Sequence, residues 1–267
     1  MLSIVILQYN NPELTKQCVE SLQRHCAVSH EIILVDNNSV NHDARKLGET
    51  LAGIRFVQNL ANEGFGKGNN KGASIARGDI LLFLNNDTIA EEDFCTPIYR
   101  IFEEDSQIGI VGPKVLNRDH SLQLSAGSLP SLVTELKDKV LYRSYEAGQT
   151  LALRYAQTKF SRTQRVEWVT GAALFVRREL FEKLNGFDED FFMFFEDKDL
   201  CLRGRLLGAQ VVYSVETSVI HLRGASINNT TERIYRESQL KYYRKHRGRL
   251  ELMIVKNYLK YLRLDRD

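Results

Sequence analysis

Four groups of residues in this chain of 267 amino acids carry side chains suited to chemistry. Asn85-Asn86-Asp87 follows directly on the apolar run Ile80-Leu-Leu-Phe-Leu84. A carboxylate placed just after a buried strand keeps its oxygens available, and hard divalent cations take such oxygens and share them with substrate phosphates. The same tripeptide also suits a plain Asx-type turn. Gly64-Phe-Gly-Lys-Gly-Asn-Asn-Lys-Gly72 sets four glycines in nine residues. They permit positive φ and close backbone approach, with Lys67 and Lys71 adding positive charge. It is neither a Walker loop nor a GxGxxG turn after a strand, so as a phosphate signal it is weak. Glu196-Asp197 sits behind Phe191, Phe192, Met193, Phe194 and Phe195. Desolvation there raises a carboxyl pKa and suits general-base work, while acids also favour a helix N-terminus through the macrodipole. The aromatic residues serve either as core or as a face on which a sugar stacks. His221 ends a short apolar run. A lone histidine is commonly structural, but with Asp87 it makes a donor pair suited to a Mn²⁺-like ion.

These groups need elements to position them. Ser3-Ile-Val-Ile-Leu7, Glu31-Ile-Ile-Leu-Val-Asp36, Ile54-Arg-Phe-Val57 and Ile80–Leu84 read as short buried strands. Asn11-Pro12 reads as an N-cap with proline at the first helical position, and Leu14, Cys18 and Leu22 mark the buried helix face. Gly64–Gly72 is expected to be a loop that runs into a helix through Ala73-Ser-Ile-Ala-Arg77. This alternation predicts a mostly parallel α/β sheet with helices on both faces. Ligands bind such sheets beyond the carboxyl ends of the strands, so Tyr9-Asn10, Asp36 and Asn85–Asp87 should meet in one crevice. Residues 117–165 read as a long excursion with some helix, and Trp168–Arg177 as a strand. Asp197 opens a helix that stops at Gly208. Gln210–Ser214 and Ser218–His221 read as strands, and from Thr231 onward the pattern is helical with a break at Gly248.

Composition bounds the classes. The chain is 43% hydrophobic and 26% charged, with net charge +2, which is ordinary for a globular protein and gives no sign of nucleic-acid binding. Four scattered cysteines form no CxxC pair, arguing against a zinc ribbon or disulfide scaffold and for a reducing compartment. The start of the sequence lacks a signal-peptide pattern, and apolar runs of four or five residues fall far short of the ~20 of a membrane span. Charge is uneven, however. Residues 232–267 hold eleven Lys/Arg and five Asp/Glu, a net of +6, which leaves −4 for the first 231 residues.

The order of the chemical blocks resembles the inverting glycosyltransferases of family 2, which have the GT-A fold. The resemblance spans about residues 2–226 and rests on Ile4-Val-Ile-Leu-Gln-Tyr-Asn10, Val35-Asp-Asn-Asn-Ser39, Asn62 through Gly72, Leu84-Asn-Asn-Asp-Thr88, Gly171-Ala-Ala, Gly186-Phe-Asp, Phe195-Glu-Asp-Lys-Asp-Leu-Cys-Leu-Arg203 and Val219-Ile-His-Leu-Arg-Gly-Ala-Ser226. Within the family it is most similar to bacterial rhamnosyltransferases that build surface polysaccharides. The resemblance implies that Tyr9 and Asp36 hold the nucleobase and ribose of a nucleotide-sugar, and that Asn10 and Asn38 also bind the donor. It implies that Asn62, Gly64, Phe65, Lys67, Asn70, Asn85 and Asn86 line the donor. Asn85-Asn86-Asp87 stands at the family's DxD motif; with asparagine first, metal binding leans on Asp87, with His221 as second ligand for Mn²⁺ or Mg²⁺. Asp197 stands at the catalytic base with Glu196 beside it. Trp168, Gly171 and Phe195 shape the sugar and acceptor pocket. Lys67 or Arg223 would help offset pyrophosphate charge.

The expected organisation is a GT-A domain over residues 1–230 and a basic helical tail over 231–267. In the tail, Arg249, Lys256, Lys260 and Arg263 share one stripe, opposite Leu250, Leu252, Ile254, Val255, Tyr258, Leu259, Tyr261 and Leu262. Such a helix suits an anionic membrane surface, or equally docking on the domain or on a second copy in a homodimer. The expected activity is inverting transfer of rhamnose from dTDP-rhamnose to a glycan on a polyprenyl lipid, at the cytoplasmic face of a membrane. UDP-galactose or UDP-glucose is the alternative donor, and a nucleotide-sugar or glycan-binding module without turnover is the rival class.

Overall fold

The computed structural model describes residues 1–223 and 229–264, and at 229 and 261–264 the backbone alone. Gly224, Ala225 and Ser226 of the last resemblance block, and the side chains of Tyr261, Leu262 and Arg263 in the tail pattern, lie outside the described set.

The chain opens with β1 (Leu2–Gln8), α1 (Pro12–His25), β2 (His30–Asp36), α2 (His42–Thr50), β3 (Ile54–Gln58), α3 (Phe65–Ile75) and β4 (Ile80–Asn85). It continues through β5 (Thr88–Ile89), α4 (Cys95–Glu104), β6 (Ile108–Leu116), β7 (Ala126–Gly127), α5 (Leu132–Glu146) and α6 (Thr150–Lys159). There follow β8 (Gln164–Val166), β9 (Trp168–Val169), β10 (Ala173–Arg177), α7 (Arg178–Lys183), α8 (Glu196–Leu206), β11 (Gln210–His221), α9 (Asn229–His246) and α10 (Arg249–Leu264). The main sheet has the order β3-β2-β1-β4-β10-β6-β11-β5, with β8 on β11. The first four strands are parallel. β10 lies between β4 and β6 and is antiparallel to both, and β11 is parallel to β6. β6 and β11 therefore point the same way as the first four strands, so the sheet is mostly parallel with a reversed strand in its middle.

The period-two alternation of the strands explains the layers. Ile4, Ile6, Ile32, Leu34, Leu82 and Leu84 point to one face, against Cys18, Val19, Leu22 and Leu47 of α1 and α2. Val5, Ile33, Val35, Leu81 and Phe83 point to the other, against Ala76, Phe181, Phe187 and Leu200. Both faces are covered, which is why these strands read as continuous apolar runs. A third cluster joins Phe191 and Phe195 to Tyr242, Tyr243, Val255 and Leu259 of α9 and α10.

Four local expectations change. Gly64–Gly72 is not a loop, because α3 begins at Phe65. Among its four glycines only Gly64 has positive φ, at 80°. The other three let the helix lie close on its neighbours: a Cβ at Gly68 would stand 2.6 Å from Leu7 Cδ1, and at Gly72 2.4 Å from Val5 Cγ1. Asn11 occupies the N-cap of α1 but makes no side-chain capping bond. The strand expected over Trp168–Arg177 is split into β9 and β10 by Thr170-Gly171-Ala172. The two strands expected at 210–221 are one, with a register shift between Ser214 and Ser218.

Candidate active site

Register brings the strand ends together. Gln8 pairs with Asp36, and Leu7 with Asn85, so the loops after β1, β2 and β4 leave the sheet side by side. Tyr9 is exposed at this edge. Asn10, at φ 61°, accepts hydrogen bonds through Oδ1 from the Val40 and Asn41 amides at 2.7 and 3.1 Å. Asp36 is fully buried. It accepts from Gln8 Nε2 at 3.1 Å and from the Ser39 hydroxyl and amide at 2.5 and 3.1 Å. Asn38, also at positive φ, accepts from Arg45 Nη2 at 3.3 Å.

The lip is organised by a residue for which sequence reasoning gave no role. Asn37 is buried. Its Nδ2 donates to Asn62 Oδ1 at 2.8 Å and to the Gly64 carbonyl at 3.1 Å. Its Oδ1 accepts from Asn59 Nδ2 at 3.0 Å and the Glu63 amide at 3.1 Å. One amide thus uses donors and acceptor to fix the turn into α3. Gly64 completes that turn: a Cβ there would stand 2.1 Å from the Phe192 carbonyl oxygen, which the Phe65 amide donates to at 2.7 Å. Lys67 is half-exposed and pairs with Glu63 at 3.3 Å. Asn70 clasps the backbone of Phe187, donating to its carbonyl at 2.9 Å and accepting from its amide at 2.8 Å. That clasp ties α3 to the Gly186-Phe187-Asp188 segment.

At the end of β4, pairing of Thr88 with His221 brings together residues far apart in sequence. His221 Nε2 stands 3.2 Å from Asp87 Oδ1 and 3.2 Å from Asn85 Nδ2. Asn86 instead donates to the Thr15 hydroxyl at 2.9 Å. Behind the ring, Gln123 Oε1 lies 3.1 Å from His221 Nδ1. Gln123 Nε2 donates to the carbonyls of His221 and Leu116 at 2.7 and 3.3 Å. Those two carbonyls fix the orientation of the Gln123 amide, so its oxygen faces the imidazole and the proton belongs on Nδ1. The Nε2 lone pair then faces Asp87. Two acceptors at 3.2 Å repel unless positive charge lies on or between them, as an imidazolium or a bound cation supplies. Carboxylate oxygen and imidazole nitrogen form a donor set that fits Mn²⁺ or Mg²⁺, and a hydrogen-bonded partner on the distal ring nitrogen is usual for metal-ligating histidine. Arg223, expected to face pyrophosphate, contacts the Tyr142 hydroxyl and Glu146 at 3.3 and 3.8 Å.

The acid pair opens α8 behind two strained residues. Phe194 and Phe195 have φ of 68° and 69°, a region that costs non-glycine residues of order 1–3 kcal/mol each. Packing holds them there: the Phe195 ring is buried against Tyr235 and Tyr242 at centroid distances of 5.2 and 5.6 Å. Phe195 is therefore core, and its edge also lines the cavity beside Trp168. Asp197 is buried, accepting from the Gly171 amide on Oδ2 at 3.0 Å and the Lys198 amide on Oδ1 at 2.7 Å. Lys198 Nζ stands 3.8 Å from it and 4.2 Å above the Trp168 ring. The desolvation expected from the aromatic setting acts on Glu196. Burial first, and then the charge of Asp197, push its carboxyl up to about 8. Its Oε2 is buried without a hydrogen-bond partner among the described residues.

The break between β9 and β10 links the two chemical centres. The Gly171 amide holds Asp197, and the next residue's carbonyl, Ala172, accepts from the Asn85 amide at 3.0 Å. A Cβ on Gly171 would meet the Phe65 ring at 3.3 Å and Asp197 Cβ at 3.6 Å, so the turn also sets Phe65 close to Asp197. Asp199, another residue without an assigned role in the sequence reading, is fully buried on the same helix. It accepts from Arg203 Nε at 2.6 Å and from Lys245 and His246 of α9 at 2.7 Å each.

Comparison with known proteins follows this geometry. Residues 3–185 match the family described as glycosyl transferase family 2. The chain is 31% identical over 229 residues to the O-antigen biosynthesis protein RfbC of Myxococcus xanthus, covering 84% of this chain but 17% of that protein's length. It is 27% identical to the rhamnosyltransferase WbbL of Escherichia coli K12, covering 83% of each chain. It is 25% identical to the N-acetylglucosaminyl-diphospho-decaprenol L-rhamnosyltransferase of Mycobacterium tuberculosis H37Rv, covering 85% of this chain and 77% of that one. Among solved structures, GalNAc-T7 with UDP, GalNAc and Mn²⁺ superposes with TM-score 0.65 at 16% identity, over 90% of this chain and 48% of that one. The Pyrobaculum calidifontis mannosyltransferase PcManGT with GDP-Man and Mn²⁺ gives 0.61 at 15% identity, over 91% and 63%. With its α/β sheet of the GT-A type and its match over most of the length, this chain belongs to glycosyl transferase family 2.

Proposed function

We propose that the protein transfers rhamnose from dTDP-rhamnose, with inversion, to a glycan carried on a polyprenyl diphosphate. The observation that carries the transfer reading is the Gly171-Ala172 turn, which holds Asp197 through the Gly171 amide and the Asn85 end of the metal motif through the Ala172 carbonyl. Base and leaving-group site then belong to one crevice. The names of the WbbL and mycobacterial relatives support the sugar and the acceptor class.

In this reading Tyr9, Asn10, Asn38 and Asn62 face the nucleoside, and Asp36 acts through the loop it braces. Asn70 contributes by clasping Phe187. Asp87 and His221 would hold a divalent ion, Mn²⁺ or Mg²⁺, whose charge offsets that of the leaving diphosphate. Asp197 takes the proton of the acceptor hydroxyl. The hydroxyl oxygen bonds to the anomeric carbon as the bond to diphosphate breaks on the opposite face. Glu196 keeps its proton at pH 7, so two adjacent negative charges do not face the incoming hydroxyl. Trp168 offers the sugar an aromatic face. The basic stripe of α10 would rest on an anionic membrane that carries the acceptor.

Asn85 in place of the motif's first acid favours one other reading, a glycan-binding module without turnover. The deciding experiment is Asp197→Asn. It should keep binding of dTDP with Mn²⁺ by calorimetry and lose transfer by at least ~100-fold. Normal turnover in that variant rejects the base assignment, and no turnover in the native chain with any donor supports the binding module.

A further inference from the structure

The cavity walled by α5, α9 and α10 is a feature the transfer reading leaves unused. Its volume is about 920 Å³, at the upper end of the range of roughly 300–1,000 Å³ typical of small-molecule sites. One end is formed by Trp168, Phe195 and Lys198, next to the base, and the other by Leu136, Val140, Ile254 and Tyr258. Those last four are exposed by 66%, 58%, 42% and 45%. Single exposed apolar residues need no explanation, but four large ones along one concave wall mark a binding surface.

We infer that this cavity binds the prenyl diphosphate arm of the acceptor, a deepening of the polyprenyl reading above, on which it rests. The wall fits that occupant in three ways. Its outer end carries large apolar side chains on both facing helices, as a hydrocarbon chain requires, with Lys139 bonded to the Tyr258 hydroxyl at its rim. Its charge balance is positive: Lys139, Arg143, Lys159, Lys198 and Arg236 outnumber Glu135, Asp138 and Glu232. Lys159 sits over the rings of Tyr155 and Phe160 and makes no ion pair among the described residues. Of the acids, Glu135 is bonded by Gln239 at 2.7 Å and Glu232 pairs with Arg236 at 2.6 Å. Burial pushes the Asp138 carboxyl up. Near the base, Trp168 Nε1 is buried without a partner among the described residues, a donor on this wall that a sugar hydroxyl would satisfy. A chain lying outward from Trp168 would present its terminal sugar to Asp197. A bilayer surface is the less suitable occupant, because the apolar residues line a concavity and lead inward to the catalytic helix.

The test uses the intact chain and its single tryptophan, Trp168, whose emission reports occupancy of this wall. Farnesyl diphosphate, titrated below its micelle concentration, should change that emission saturably. The double variant Leu136→Gln, Val140→Gln alters exposed positions only, and should raise the apparent Kd at least tenfold while its dTDP-Mn²⁺ affinity and Tm stay native. The inference is overturned by no saturable change, by equal affinity in the variant, by an equal response to inorganic diphosphate, or by an equal response to anionic vesicles free of prenyl lipid. Failure of the native chain to bind dTDP would count against the donor reading, and the farnesyl titration would still decide this one.

Discussion

At the scale of single residues, the chemistry depends on groups that set the state of the visible ones. Gln123 is the clearest case. Its amide is oriented by two backbone carbonyls and in turn keeps the His221 proton on Nδ1. Gln123→Leu should weaken Mn²⁺ binding ~10–100-fold, the usual effect of removing such a partner, with unchanged far-UV circular dichroism. Isothermal titration with Mn²⁺ alone measures it, and native affinity would show that the ring needs no such support. Asp87, His221 and Asp197 stand out in the sequence because each is a polar residue at the edge of an apolar run, and the structure brings the first two within 3.2 Å. Gln123, Asn37 and Asp199 do not. Their partners lie up to 98 residues away for Gln123 and 47 for Asp199, and neither spacing nor composition encodes such a meeting.

At the scale of elements, strands were easier to read than the glycine-rich helix α3. Period-two burial on a two-faced sheet produces runs such as Ile80–Leu84 that sequence shows directly. α3 was hidden because each glycine costs a helix roughly 1 kcal/mol against alanine. Its glycines stay because Val5, Leu7 and Phe187 leave no room for a Cβ; here packing overrides propensity. Gly64 is a separate case, with positive φ and the Phe192 carbonyl against it. Gly64→Ala should destabilise by about 2 kcal/mol or more, combining left-handed strain and overpacking. Urea denaturation would show it as a lower midpoint at constant m. A native midpoint would mean that the 192–194 segment moves away without cost, and so does not brace the turn. The same segment carries Phe194 and Phe195 in left-handed backbone, an arrangement no propensity scale suggests, sustained by the aromatic residues of α9.

At the scale of the whole molecule, the tail is joined to α8 and the aromatic segment before it. Its basic composition was legible; its docking was not, because amphipathic helices look alike whether they rest on a membrane or on a protein. Val255 and Leu259 are buried on Phe191 and Phe195, while Leu250, Ile254 and Tyr258 stay exposed. Among the described residues no helix is long and apolar enough to cross a membrane. The polar anchor is Asp199. Burial alone would raise its carboxyl, but hydrogen bonds and charge from His246, Arg203 and Lys245 more than offset this and hold it below its usual value. A depressed carboxyl stabilises above its unfolded pKa and loses that contribution as pH falls through the lower folded one. Docking of α9 should therefore loosen in acid, below the ordinary aspartate value of about 3.9. Hydrogen exchange in α9, compared at pH-corrected rates, would register this as selective loss of protection. Asp199→Ala, which leaves Arg203, Lys245 and His246 facing a void, should cost about 3–5 kcal/mol. Thermal unfolding measures that, and a native Tm would show that the aromatic cluster alone secures the tail.

The reversed strand in the middle of the sheet bears on how the chain is made. β4 and β6 are separated by β10, which comes more than fifty residues after β6 ends. During synthesis from the N-terminus, β1 to β4 can assemble as a parallel block, but the outer edge of β4 waits for residues 173–177. Over that interval a nascent chain presents Ile80–Asn85 as an open, apolar strand edge, the kind of surface that invites pairing with the wrong partner. His221 emerges later still, so the contact it makes with Asp87 at 3.2 Å forms only once β11 is made.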